Sequence, residues 1–291
     1  MSYSRSLLLV FIATFSFAAE PERLTEDGKL KLSPSFVGNG KDVVYSVHDI
    51  PNRVTLTKLN RADRSTTAIL PTLTAHQFDG VYSRDDRYLC YARSASNPQL
   101  VLVILDTRKE KEFVYRPGGG SRSGVRLPSL APDNSGVVFT QSGTRGHQIG
   151  FVDLQAKNFN LLTDSPGINK DPEYSPDGKR IVFASSRTGD LEIFVMKADG
   201  SDQQRLTKSH GLDMHPSWSP DGKRLAFTSM RDGNYEIYVM NADGSAVTNV
   251  SRNLERDDFA TWSPDGQQLL LVSERRGKFD LYLIKVPANP E

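Results

Sequence analysis

Hydrophobic and polar positions in the second half of the chain follow one pattern three times over. A short run such as His215 to Ser219 leads into the turn Ser219-Pro220-Asp221-Gly222. There Pro suits the second position of a type I turn and Gly the fourth. The next run, Arg224 to Met230, is almost continuously apolar at its centre, as a strand buried on both faces would be. Asp232-Gly233 turns the chain again, and Tyr235 to Asn241 alternates as a partly wet strand does. Asp243-Gly244 then leads into a polar outer segment, Ala246 to Ser251. Short segments rich in β-branched and aromatic side chains, with turn residues between them, leave little room for helix. The pattern predicts an all-β chain.

The same phase recurs along almost the whole length. Pro-Glu-Tyr-Ser-Pro-Asp-Gly at 172–178 returns 44 residues later as Pro-Ser-Trp-Ser-Pro-Asp-Gly, and again as Ala-Thr-Trp-Ser-Pro-Asp-Gly. A fixed period of this length marks an array of stacked supersecondary units. Weaker copies of Gly178 to Phe183 lie upstream at Gly40 to Tyr45, Asp86 to Tyr91 and Asn134 to Phe139. The turn anchors then fall at Gly38, Arg84, Pro132, Pro176, Pro220 and Pro264, spaced 46, 48, 44, 44 and 44 residues apart. Six units of four strands suggest radial closure into a six-bladed β-propeller. The last unit stops after its third strand, Phe279 to Val286. Its missing strand is found at the other end of the chain. Arg23-Leu24-Thr25 precedes Pro34 at the spacing by which Arg205-Leu206-Thr207 precedes Pro216 and Leu161-Leu162-Thr163 precedes Pro172. Residues 21–26 are therefore predicted to complete the last blade and hide an edge that would otherwise invite pairing.

Composition changes the picture at the N-terminus. Arg5, the apolar stretch Leu7 to Phe17 and the small-x-small triplet Ser16-Phe17-Ala18 read as a signal peptide over residues 1–18, with the propeller at 19–291. The apolar stretch is short for a membrane span, so no integral span is expected after cleavage. Removing those residues takes away Arg5 and no acid, leaving 35 basic against 35 acidic side chains. A neutral chain lacks the electrostatic footprint of a nucleic-acid binder. Cys90, the one cysteine, aligns with Val182 in the apolar strand and is expected to be a buried thiol. Gly118 to Gly124 lacks the lysine of a phosphate-binding loop and reads as a connection between blades.

Arg205-Leu206-Thr207, Pro216-Ser217-Trp218-Ser219-Pro220-Asp221-Gly222-Lys223 and Glu236-Ile237-Tyr238-Val239-Met240-Asn241-Ala242-Asp243-Gly244 together resemble the propeller repeat of the TolB family. The resemblance runs from about residue 21 to 286 and is closest in the last three units. It implies a periplasmic or secreted scaffold without enzymatic activity, working as a monomer. Its channel mouth would engage an envelope protein or peptide, as that family's propeller binds the peptidoglycan-associated lipoprotein Pal. TolB proteins carry a further α/β domain ahead of the propeller, for which residues 19–291 leave no room. The same fold also serves metal-dependent oligogalacturonate lyases, which implies an alternative: a carbohydrate-active enzyme holding a divalent cation through several histidines and a glutamine. Gly-x-Ser-x-Gly is absent from the chain, which sets a serine-hydrolase reading aside.

Candidate chemistry sits on the loops entering the innermost strands. The residue before the phase-defining Pro is Ser33, Asp79, Leu127, Asp171, His215 or Phe259 in successive units; two positions earlier stand Lys31, Gln77, Val125, Asn169, Asp213 and Asp257. Ring symmetry is expected to bring Asp79, Asp171, Asp213, His215 and Asp257 to one rim of the channel as a binding site. Carboxylates and imidazoles of this kind are also the donors of hard and transition-metal ions, with His76, His210 and His215 as candidates beside Gln77. The plainer reading of an Asp before Pro is a turn cap. Trp218, Trp262, Tyr174, Tyr82 and Phe36 share one phase and are expected to pack between blades. Arg187, Arg231 and Arg275, each two residues before a turn glycine, are expected to be solvated or paired with a neighbouring blade.

Overall fold

The computed structural model describes residues 20–50, 52–95, 99–119, 123–144 and 146–287. The predicted signal peptide lies outside the described residues, as does the centre of the Gly118 to Gly124 connection. The described residues form six antiparallel sheets of four strands each. Blade 1 holds β2 (Lys31–Val37), β3 (Asp42–Ile50), β4 (Arg53–Asn60) and β5 (Thr66–Ala68); blade 2 holds β6 (Gln77–Tyr82), β7 (Tyr88–Ser94), β8 (Leu100–Asp106) and β9 (Lys111–Tyr115). Blade 3 is β10 (Gly124–Leu130) to β13 (Phe159–Leu161), and blade 4 is β14 (Asn169–Tyr174) to β17 (Gln204–Arg205). Blade 5 runs from β18 (Asp213–Trp218) through β19 (Arg224–Ser229) and β20 (Glu236–Asn241) to β21 (Thr248–Asn249). Blade 6 is β22 (Asp257–Trp262), β23 (Gln268–Arg275) and β24 (Lys278–Lys285), with β1 (Glu22–Arg23) as its outer strand. Successive innermost strands touch in ring order, and β22 returns to β2. Among the described residues no helix is long and apolar enough to cross a membrane.

The predicted closure is present, and side chains explain it. β1 pairs with β24, Glu22 opposite Leu283 and Arg23 opposite Tyr282. Thr25 Oγ1 donates to Asp280 at 2.7 Å and accepts from the Leu281 N–H at 3.0 Å, while Arg23 reaches Asp280 at 2.6 Å. Blade 4 repeats the arrangement. Arg205 and Thr207 reach Glu192 at 2.7 and 2.6 Å, and Thr207 Oγ1 accepts from the Ile193 N–H at 2.9 Å. The Arg-Leu-Thr phrase is thus a clamp between the fourth strand and an acid on the third. In blade 6 its two halves lie at opposite ends of the sequence.

The core sits between blades. Each second strand offers one large side chain at the same position, Tyr45, Tyr91, Phe139, Phe183, Phe227 and Leu271, none more than 2% exposed. One hydrophobic cluster joins Val182 and Ile193 of blade 4 to Leu225 and Tyr238 of blade 5, and similar clusters bridge other neighbouring blades. Cys90 is fully buried in such a cluster, and burial pushes its thiol up. β20 is buried at every position except Asn241, so the expected alternation gives way to burial on both faces. The outer strand of blade 5 is only Thr248–Asn249, shorter than the predicted Ala246 to Ser251. Short outer strands blunt the exposed edges of the disc.

Trp218 and Trp262 pack between blades as expected. Arg180 of blade 4 lies 4.6 Å from the Trp218 ring, Arg224 of blade 5 the same distance from Trp262, and Trp262 Nε1 donates to the Ser217 carbonyl at 3.2 Å. The three repeated arginines differ from expectation, because their partners belong to their own blades. Arg231 bonds Asp213 at 2.9 Å, Arg187 bonds Asn169 at 2.8 Å, and Arg275 stands 4.0 Å from Asp257. Each also lies over an aromatic ring of its own sheet: Phe227, Phe183 and Tyr282 respectively.

Candidate functional site

Every innermost strand breaks its regular register at one place. The shift falls between Leu32 and Ser35, Phe78 and Val81, Arg126 and Ser129, Lys170 and Glu173, Met214 and Ser217, and Asp258 and Thr261. At each bulge a non-glycine residue takes a positive φ: Ser33 (48°), Asp79 (56°), Leu127 (51°), Asp171 (58°), His215 (49°) and Phe259 (55°). A left-handed conformation costs a side-chain-bearing residue about 1–2 kcal/mol. Repeated six times around one axis, it is strain that the ring over-determines, and bulges of this kind re-aim side chains beside functional sites.

These residues and those following them line a central cavity of about 280 Å³. It extends along the strands to Ser83, Arg84 and Pro132, which belong to the turns where the first strand of a blade hands over to the second. Of the five predicted rim residues, Asp79, Asp171 and His215 line this cavity. Asp213 and Asp257 do not; they are fully buried within their own blades. Asp213 accepts from Ser229 Oγ at 2.6 Å and from Arg231, and Asp257 accepts from Asn253 at 2.9 Å. The bulge is the reason. An extra residue between positions two apart destroys the same-face relation that a regular strand gives them.

The cavity acids stitch blades together. Asp79 accepts from Ser33 Oγ of blade 1 at 2.8 Å, and from Arg126 Nε and the Leu127 N–H of blade 3 at 2.5 and 3.0 Å. Burial opposes its charge, but Arg126 outweighs burial and holds the carboxyl below its usual range. Asp171 lies 3.2 Å from Lys170 Nζ and accepts from the His215 N–H at 3.3 Å. His215 Nδ1 meets Asp258 Oδ1 of blade 6 at 2.8 Å, and its ring stacks on Phe259 at 4.1 Å. Burial works against the imidazolium, yet Asp258 and Asp171 prevail and raise the imidazole above its ordinary value. Asp258 also bonds Arg256 at 2.6 Å and Thr228 Oγ1 at 2.8 Å. Despite its burial, His215 and Arg256 hold it well below the usual carboxylate range.

Glu173 is the residue that the reading of the sequence missed. It lines the cavity beside Ser35, Val81, Ser129, Ser217 and Thr261, the same position in the other blades. Its Oε1 accepts from the Trp218 N–H at 2.8 Å and from Ser217 Oγ at 3.3 Å. No basic side chain pairs with it among the described residues, whereas Arg126, Lys170 and Arg256 pair with Asp79, Asp171 and Asp258. Burial pushes its carboxyl up to about 7, against those two hydrogen bonds. The available signal was an acid at a phase where the other repeats carry Ser, Val or Thr.

A folded carboxyl raised above its unfolded value contributes stability that is complete at low pH and falls as pH rises towards about 7. Glu173→Gln keeps the acceptor for Trp218 and removes the half-buried charge. It is expected to raise the thermal midpoint at pH 8 and leave it unchanged at pH 5. Thermal denaturation at the two pH values checks this; an equal shift at both would contradict it.

The predicted metal candidates do not converge. His76 Nδ1 accepts from the Val54 N–H at 3.2 Å, and the Gln77 side-chain oxygen accepts from the Leu56 N–H at 3.3 Å. His210 is exposed on the connection between β17 and β18, and His215 is held by Asp258. Among the described residues no group of three or more His, Cys, Asp or Glu side chains is placed to hold a metal ion.

The family model of the TolB beta propeller domain matches residues 63–212 and 203–290. No curated protein sequence matches the chain. Among solved structures, a protein of Agrobacterium tumefaciens assigned as a TolB is 21% identical with a TM-score of 0.70, over 91% of this chain and 93% of its own. TolB from Acinetobacter baumannii is 21% identical with a TM-score of 0.68; the match covers 86% of this chain and 65% of the Acinetobacter chain. Oligogalacturonate lyase from Vibrio parahaemolyticus is 15% identical with a TM-score of 0.62, over 92% and 94% of the two chains. At these identities the structural likeness speaks for the fold alone.

Proposed function

This chain belongs to the TolB β-propeller family, and from that premise we propose that it is a periplasmic or secreted binding scaffold that receives a segment of an envelope protein, Pal-like, in its central cavity. One observation carries the reading. The cavity's imidazole and two of its three acids, Asp79 and Asp171, are committed to partners of the protein itself, with Asp258 behind the wall holding His215. This leaves a recess rich in Ser and Pro with one carboxylate, that of Glu173, unpaired by any basic side chain among the described residues. General acid–base chemistry needs a group free to reach a substrate proton, and His215 has both ring nitrogens near carboxylates of the protein itself, Asp258 at 2.8 Å and Asp171 at 3.6 Å. A recess of about 280 Å³ lies just below the usual range for small-molecule pockets. It suits one or two inserted side chains.

The lyase alternative asks for several histidines and a glutamine around one ion. The residues present do not make that set, since His76, Gln77, His210 and His215 each have separate surroundings. No step through a metal follows from this chain.

The test is a calorimetric titration of the purified chain with the purified peptidoglycan-associated lipoprotein of the same organism. Saturable binding of one lipoprotein per propeller is the expected outcome. Absence of heat and of co-migration at concentrations where the chain is folded would overturn the proposal.

A further inference from the structure

We propose that the cavity takes a cationic side-chain group, an alkylammonium or guanidinium, with Glu173 as its acceptor. This rests on the reading of the cavity as the partner site and names the chemistry that the partner must bring.

The argument begins with charge matching inside the ring. Asp79, Asp171 and Asp258 each have a cation within 3.2 Å: Arg126, Lys170 and Arg256. Glu173 has two neutral donors, both on Oε1, and its Oε2 has no hydrogen-bond partner among the described residues. Glu173 is half-buried in the cavity wall, and a partly desolvated carboxylate without a counter-charge is stabilised by a cation that arrives to pair with it. Strands do not need this acid at that position, because the same place in other blades is filled by Ser35, Ser129, Ser217 and Thr261.

The surrounding wall fits a long basic side chain better than a bare ion. Val81, Leu127 and Phe259 add apolar patches to the cavity wall, and the hydroxyls of Ser35 and Thr261 add acceptors elsewhere around it. Lysine and arginine lay apolar stems along such surface and present their charge at the end. A bare divalent ion would need several oxygen ligands together, and the described acids are not placed that way.

The probes are three blocked peptides of identical length with Lys, Arg or the uncharged norleucine at the centre, together with cadaverine as a free amine. Binding to the purified chain is read by calorimetry and by the side-chain carboxyl ¹³C resonance of Glu173 in glutamate-labelled protein. The Lys and Arg peptides are expected to bind about 10–100-fold more tightly than the norleucine peptide, with Glu173→Gln erasing that difference. The Glu173 resonance is expected to keep its ionised position to lower pH when they are bound. Tighter binding of the peptides than of cadaverine assigns the cation to a partner chain; the reverse order assigns it to a free amine. Equal binding of Lys and norleucine peptides, or binding unaffected by Glu173→Gln, overturns the proposal. A Ser35→Trp variant, which fills the recess, separates the two failures. If it abolishes binding while Glu173→Gln does not, the cavity reading stands and the cation falls. If neither variant matters, both fall.

Discussion

Asp280→Ala is expected to cost about 3–5 kcal/mol of stability, because it breaks a buried ion pair by removing one partner. Asp280 and Lys31 are 1% and 0% exposed and 3.2 Å apart. Asp280 also accepts from Arg23 and Thr25, so one carboxylate holds the returning N-terminal strand, the last strand of blade 6 and the first strand of blade 1. The variant leaves the Lys31 ammonium buried with Asp27 and two backbone carbonyls as its remaining acceptors. At this chain length the loss corresponds to a fall in melting temperature of about 10 °C. The exposed pair Lys29–Asp49 is the control, its side chains 42% and 49% accessible; Asp49→Ala is expected to cost less than about 1 kcal/mol. Burial opposes the charge of Asp280, but Arg23, Thr25 and Lys31 hold its folded pKa below the ordinary value. Its stabilisation is therefore complete above the unfolded value and lost as pH falls through the folded one. Equal melting temperatures for the two variants at pH 7 would refute the closure account.

Asp258→Ala is expected to be nearly as damaging, at about 3–5 kcal/mol, and to change the pH profile as well. Asp258 has a side chain 2% exposed and joins His215, Arg256, Thr228 and the Phe259 N–H. Its removal takes away the main counter-charge that raises His215. A histidine raised above its unfolded pKa of about 6.5 contributes stability below that value and loses it as pH climbs through the folded pKa. The native chain should thus lose stability on the alkaline side of about pH 6.5, and Asp258→Ala should flatten that loss. Melting temperatures between pH 5 and 9, with the His215 ring proton followed by NMR, measure both effects. A variant that keeps the native slope would contradict the assignment.

The repeat made the architecture readable, because each of its parts has one job that sequence alone reveals. Ser-Pro-Asp-Gly can only turn, Ile-Val-Phe can only be buried, and Arg23-Leu24-Thr25 carries its blade identity in its spacing to Pro34. The site was readable in part. Asp79, Asp171 and His215 reach the cavity. Asp213 and Asp257 carry the same residue types but pair inside their blades, with Arg231 and near Arg275 respectively. Two signals for that difference were present. A proline inside a strand is confined to edges and bulges, so Pro34, Pro128, Pro172 and Pro216 in mid-strand already implied a broken register. The arginines stand 18 residues after Asn169, Asp213 and Asp257 in each of the last three units, two residues past the serines that face those positions across the hairpin, within reach of a long side chain. Glu173 stood out in the sequence only as an acid where the other repeats carry Ser, Val or Thr. Its meaning lies in the lack of a counter-charge, which is a property of six strands packed together.

The central claim is that a partner enters the channel. Its most direct test is the titration of the purified envelope lipoprotein into the native chain and into Ser35→Trp, with melting temperatures recorded for both. Ser35 lines the recess and, among the described residues, its hydroxyl makes only a 3.5 Å contact with the Phe36 carbonyl, so an indole there fills space at little structural expense. The account predicts that Ser35→Trp keeps the native melting temperature to within about 3 °C and loses lipoprotein binding. Undiminished binding by a folded Ser35→Trp chain would place the partner elsewhere on the disc and contradict the account.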